Sequence, residues 1–141
     1  MLFPNKVKYR KWQTGRKNPK KLAVKIETRG TELSFGEYGL KAVSQYRIKS
    51  NQLESARKAI KRHIGKEGKM CIRVFPDRPV TRKAAEVGMG KGKGDPDHFC
   101  IEVFIGRILF EVSGVSEEVA REALRKGGTK LPVKVKIVKK R

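Results

Sequence analysis

Acidic residues are scarce in this chain, and their scarcity narrows its chemistry. Asp and Glu number 14 against 35 Lys and Arg, a formal net charge of +21 on 141 residues. Such an excess repels itself in a compact state unless counterions or a polyanion offset it. Cysteine is scarcer still. Cys71 and Cys100 are too few for a disulfide framework, and each sits in an apolar stretch where a small buried residue is the common case. Neither forms a zinc-type pair with the other or with His63 and His98, so no metal site is expected. No apolar run reaches the roughly 18 residues that a membrane span needs. The opening MLFPNKVKYRKW lacks the apolar core and cleavage pattern of a secretory signal, and a cytoplasmic protein is expected. Catalytic patterns are missing too. A phosphate-cradling loop needs a hydroxyl residue after its lysine, but Lys91 and Lys93 are each followed by glycine. The dinucleotide fingerprint fails because Lys93 stands where its third glycine belongs. The paired acids Glu117-Glu118 are explained by a helix start, and neither histidine has a nucleophile and carboxylate beside it. Neither an enzyme nor a cofactor is expected.

What the chain does hold is concentrated in residues 73–94, RVFPDRPVTRKAAEVGMGKGKG. Pro76 and Pro79 with Gly88, Gly90, Gly92 and Gly94 exclude an ordinary helix or a central strand there. Arg73, Arg78, Arg82, Lys83, Lys91 and Lys93 face only Asp77 and Glu86. Long loops without secondary structure are uncommon in small domains and are usually functional, and 76–94 is read as one. In GKGKG the backbone can approach a partner closely while every second residue carries a cation. A phosphate backbone is the matching partner. Residues 1–26 and 129–141 carry bases and no acid at all, the pattern of nucleic-acid-binding ends.

The chain is read as a single domain of 141 residues with a basic arm at 1–21. Phe3, Tyr9 and Trp12 in the arm either stack on bases or pin the arm to the domain. Strands are expected at 22–26 and around 31–35, and SFGEYGLKAV reads as a bent strand pair or turn. Asn51 with Glu54 suggests a capping box for a helix on which Leu53, Ala56, Ile60 and Ile64 face inward. Gly65 ends that helix, and Arg57, Lys58, Lys61 and Arg62 line its other face as phosphate contacts. Strands follow at 70–75, 99–105 and 107–112, the last two read as a hairpin turning at Gly106-Arg107. A second helix runs from Ser116 to a stop at Gly127-Gly128, and a strand at 133–138 turns Val133, Val135 and Ile137 inward. The fold class is therefore α+β, a mostly antiparallel sheet with two packed helices, the basic arm and the long Pro/Gly-rich basic loop.

These segments, in this order, resemble the bacterial large-subunit ribosomal protein L-sixteen family. The resemblance is carried by Met1–Lys11, FGEYGLKAV at Phe35–Val43, QLESARKAI at Gln52–Ile60 and GK-CIRVFPDRPVT at Gly68–Thr81. It continues through MGKGKG at Met89–Gly94, GRILFEVSGV at Gly106–Val115 and KLPVKVKIV at Lys130–Val138. It implies a structural constituent of the large ribosomal subunit that binds large-subunit rRNA beside other large-subunit proteins. It also implies a loop that reaches tRNA in the aminoacyl, and towards the peptidyl, site near the peptidyl-transferase centre. The rRNA cations would be Lys6, Lys8, Arg10, Lys11, Arg16, Arg57, Lys58, Lys61, Arg62, Arg73 and Arg78. The tRNA-proximal loop would be Arg82, Lys83, Met89, Gly90, Lys91, Gly92, Lys93 and Gly94. The ribosome would be cytoplasmic or organellar. Gly88 departs from the family, which usually has there an arginine that some bacteria hydroxylate, so that contact and modification do not carry over. Cys71 and His98-Phe99 replace family aromatics, and the arm is longer at Arg16–Ile26. The competing reading, a free-standing RNA or DNA chaperone, shares the charge but gives no reason for a Pro/Gly loop of fixed sequence.

Overall fold

The computed structural model describes residues 1–141 as three helices and seven strands in two antiparallel sheets. In chain order these are α1 (Pro19–Ala23), β1 (Tyr38–Ala42), β2 (Tyr46–Lys49), α2 (Ser50–Ile64) and β3 (Lys69–Ile72). They continue with β4 (Arg78–Arg82), β5 (Asp95–Val103), β6 (Ile108–Ser113), α3 (Glu117–Gly128) and β7 (Val135–Lys139). One sheet has the order β3-β6-β1-β7 and the other β2-β5-β4. The α+β class holds, but one sheet was expected and two are present.

The division falls at Gly106. β5 and β6 do not pair with each other: β5 lies between β2 and β4, while β6 lies between β1 and β3. The expected hairpin at 99–112 is therefore a corner. Gly106, at φ 101°, turns the chain from one sheet into the other, and its N–H donates to Ala42 O at 2.8 Å. The expected strand at 22–26 is also corrected. Asn18 Oδ1 accepts from the N–H groups of Lys20 (3.0 Å) and Lys21 (3.4 Å) and Pro19 occupies the first turn, so a short helix forms instead. Only Ile26 bridges to Ile105, in parallel. Residues 31–35 form no strand, because the N–H groups of Ser34 and Phe35 turn onto a side-chain carboxylate described below.

α2 buries its predicted face, Leu53, Ala56, Ile60 and Ile64, and α3 buries Ala120, Ala123 and Leu124. These join Leu40, Ile48, Leu109, Phe110 and Val112 in one core. The α2 cap sits earlier than predicted: the Lys49 N–H donates to Gln52 Oε1 at 2.9 Å, while Glu54 grips Arg57 instead of capping. α3 ends at Gly128, where the sequence placed its stop, but the two glycines also have a packing role. They lie in the last turn of α3, where a Cβ on Gly127 would stand 2.5 Å from Ile60 Cγ1 and one on Gly128 would stand 2.8 Å from Val135. Their absence of side chain lets α3 approach α2 and β7. No helix is long and apolar enough to cross a membrane.

Candidate nucleic-acid interface

The stretch read as a long unstructured loop is mostly a hairpin. Arg78–Arg82 forms the edge strand β4 on β5, with Pro79 opposite Phe99 and a register shift between Val80 and Thr81. An edge is where a strand tolerates proline, since the missing N–H would face solvent. The tip is the shorter run 83–94. There Gly90, Lys91 and Gly92 all adopt positive φ (93°, 58° and 90°), and Lys91 is the only non-glycine residue of the chain to do so. Lys83 Nζ donates back to Gly90 O at 2.5 Å and holds the tip curled. A Cβ on Gly88, Gly90 or Gly92 would meet nothing, so the tip backbone is bare on one side. Met89 is 99 % exposed.

The arm lies along this hairpin. Phe3 stacks on Phe99 with ring centroids 6.4 Å apart and planes 11° apart. The Arg78 guanidinium covers Trp12 at 5.6 Å and donates to Thr14 Oγ1 at 3.4 Å. Lys11 Nζ donates to Lys93 O at 3.1 Å, and Lys93 Nζ returns a hydrogen bond to Trp12 O. Of the two readings of the arm aromatics, pinning describes Phe3 and Trp12. Tyr9 remains 64 % exposed with Lys8 over its ring.

Two glutamates missed in the sequence fasten this arrangement. Glu102 on β5 binds Lys17 at 2.6 Å and Arg47 at 2.9 Å, with Arg78 at 3.8 Å. Burial pushes its carboxyl up, but the Lys17 hydrogen bond and the Arg78 charge outweigh burial and hold it below the ordinary value. Glu111 on β6 is fully buried, pairs with Arg73, and accepts the N–H groups of Ser34 (3.2 Å), Phe35 (2.6 Å) and Gly36 (2.6 Å). Burial again pushes the carboxyl up, and Arg73 with those N–H groups holds it down. The available signal was an acid inside each apolar run, FCIEVFI and RILFEV.

The predicted cations thus divide by what they already touch. Lys6, Lys8, Arg10, Arg16, Lys58, Arg62, Arg82 and Lys91 are exposed and have no acidic partner. Lys11, Lys61, Lys83 and Lys93 place their ammonium groups on backbone carbonyls. Arg57, Arg73 and Arg78 are engaged by Glu54, Glu111 and Glu102. The arm and hairpin cations are brought together, whereas those of α2 stand on a separate helix. No three His, Cys, Asp or Glu side chains cluster as a metal would require.

Fold and surface together define a small basic α+β domain whose arm and hairpin form one cationic ridge. The family described as ribosomal protein L16p/L10e matches residues 4–138. The chain belongs to that ribosomal protein family. It is 54 % identical over 138 residues to the large ribosomal subunit protein uL16 of Halorhodospira halophila, covering 98 % of this chain and 96 % of that one. It is 49 % identical over 140 residues to the large ribosomal subunit protein uL16 of Alkalilimnicola ehrlichii, covering 99 % and 98 %.

Proposed function

We propose that this protein is a structural constituent of the large ribosomal subunit that binds large-subunit rRNA and presents its hairpin tip to tRNA near the aminoacyl site. The observation that carries the reading is the cross-latched ridge, in which Lys11 and Lys93 each donate to the other segment and the unpaired Lys6, Lys8, Arg10, Arg16, Arg82 and Lys91 are left outward. Cations without acidic partners are the groups that neutralise phosphates. In this reading Arg73 and Arg78 act as struts that shape the ridge, and Lys58 and Arg62 offer further unpaired cations on α2, apart from it. The bare backbone at Gly90 and Gly92 suits close approach to an RNA surface. Large subunits lacking this protein, reconstituted with the native chain or with Lys91→Ala, test the reading through co-sedimentation after a high-salt wash and through aminoacyl-tRNA affinity. Retention of both chains with weaker tRNA binding for Lys91→Ala is expected. Release of the native chain by the wash would favour a free-standing chaperone.

A further inference from the structure

A second cationic feature lies away from the ridge. Between α2 and α3 is a groove of about 380 Å³ lined by Ala59, Arg62, His63, Arg125, Lys126, Thr129 and Lys130. Four of these carry permanent positive charge, and none of the seven hydrogen-bonds to the arm or the hairpin. One carboxylate pairs with the lining. Glu122 pairs with Arg125 at 2.7 Å and lies 3.5 Å from Lys126, and the Arg125 hydrogen bond holds it down to about 2, so it stays ionised. Arg62 and Lys130 have no acidic partner.

The groove is shaped as well as charged. Gly127 lets α3 close onto Ile60, which brings Lys126 across to His63, with Nζ 3.4 Å from Nδ1. That contact holds the Lys126 side chain at the groove. Ala59 leaves the floor low, and Thr129 Oγ1 donates to Lys126 O at 2.7 Å, fixing the turn that carries Lys130. Folding alone gives no reason to gather Arg62, Lys126 and Lys130 around one depression, because like charges at close range repel.

We propose that this α2–α3 groove is a second phosphate-binding site, which takes a segment of RNA backbone distinct from the one met by the arm and hairpin. The proposal rests on the RNA-binding reading above, adds Arg125 and Lys126, which the sequence left unassigned, and gives Lys130 of the basic 129–141 end a specific place. Charge points to RNA over an acidic protein segment: four of the seven lining residues are permanently cationic and only Ala59 is apolar, so the apolar anchors that protein interfaces place at their centre are missing. Two backbone segments held on separate faces would let a small protein tie distant parts of a folded RNA together.

Lysine acetylation read by mass spectrometry tests this on the native chain, free, bound to protein-free large-subunit rRNA, and within large subunits. Lys126 and Lys130 should be protected on the protein-free RNA together with Lys6 and Lys8. The R62A/K126A/K130A variant should keep its melting temperature and lose about 2–3 units of the slope of log affinity against log salt. If the arm lysines are protected while Lys126 and Lys130 react as in the free chain, the groove is overturned and the RNA reading stands. Protection of Lys126 and Lys130 only within whole subunits would assign the groove to a neighbouring protein and overturn the RNA occupant. If no lysine is protected on RNA, the RNA-binding reading itself falls and takes the groove with it.

Discussion

Replacing Glu111 by Gln should be among the most damaging single changes in this protein, though no RNA would touch the site. The carboxylate is fully buried and accepts from Arg73 and from the N–H groups of Ser34, Phe35 and Gly36. Glutamine keeps the volume but leaves Arg73 without its counter-charge. Breaking a buried pair by removing one partner costs about 3–5 kcal/mol. The Arg73 side chain is 17 % exposed, so water can screen part of the loss and the lower end, about 3 kcal/mol, applies. At roughly 2–4 °C per kcal/mol for a chain of this size, the melting temperature should fall by about 6–12 °C at neutral pH. The pH dependence has a definite sign. Because the folded carboxyl lies below its ordinary value of 4.5, its stabilisation is complete above that value and is lost as pH falls through the lower folded one. The gap between native protein and Glu111→Gln should therefore narrow under acid. Arg73→Met should lower stability likewise, and the R73M/E111M double variant should recover part of the loss. Thermal melts followed by circular dichroism decide the matter. Single variants melting within about 2 °C of the native chain would refute the strut. So would an Arg73→Met variant with native melting but a salt slope for RNA lower by about one, since Arg73 would then be a phosphate ligand.

Other outcomes follow from the same geometry. Gly127→Ala should destabilise by about 1–3 kcal/mol, as its Cβ would stand 2.5 Å from Ile60 Cγ1; an unchanged denaturant midpoint would show that the helices can separate freely. Lys91→Ala should alter stability by no more than about 0.5 kcal/mol, because the side chain touches nothing that folding needs; a larger shift in melting would make it structural. Lys93→Ala should instead loosen the arm around Trp12, whose carbonyl loses its ammonium partner, and limited trypsin digestion should then cut within Arg10–Lys17 faster than in Lys91→Ala. If about 6–10 phosphates are neutralised, rRNA affinity should fall by roughly 10³–10⁵ between 50 and 200 mM salt; a flat titration would exclude phosphate-dominated binding.

Helices and apolar alternation were legible in the sequence because both depend on neighbours a few residues apart. Leu53, Ala56, Ile60 and Ile64 recur at helical spacing, and Val133, Val135 and Ile137 alternate with lysines, so their inward faces could be read directly. What failed was long-range partnership. The run 99–112 contains two strands and a tight turn, which fits a hairpin locally, yet each strand finds a different sheet. Leu22, Val24 and Ile26 alternate as a strand would, but Asn18-Pro19 caps a helix before the alternation can be used. Pro79 announced an edge, and only the pairing with β5 shows that the edge is a real strand. The cationic surface was legible as composition. Which cations were free was not, because Glu102 and Glu111 reach partners 24 or more residues away in sequence.

The placement of the few acids explains how so basic a chain can keep a defined fold. Glu111 and Glu102 sit inside, each gathering positive groups that would otherwise repel: Arg73 in one case, and Lys17, Arg47 and Arg78 in the other. Glu54, Glu117 and Glu122 bind cations along the helices, Glu117 also tying α3 to β7 through Lys139 at 2.7 Å. Exposed pairs of that kind contribute only about 0–1 kcal/mol each, so their main effect is to orient side chains. With these acids engaged internally, the outward Lys6, Lys8, Arg10, Arg16, Arg82 and Lys91 of the ridge, and Arg62 and Lys130 of the α2–α3 groove, have no counter-charge of their own. The net charge of +21 is then a distribution rather than a surplus: negative charge fastens the interior joints, and positive charge is left where a polyanion can reach it. A partner that supplied phosphates to both faces would relieve the repulsion that the acids leave in place, which links the stability of this fold to the RNA that it is proposed to bind.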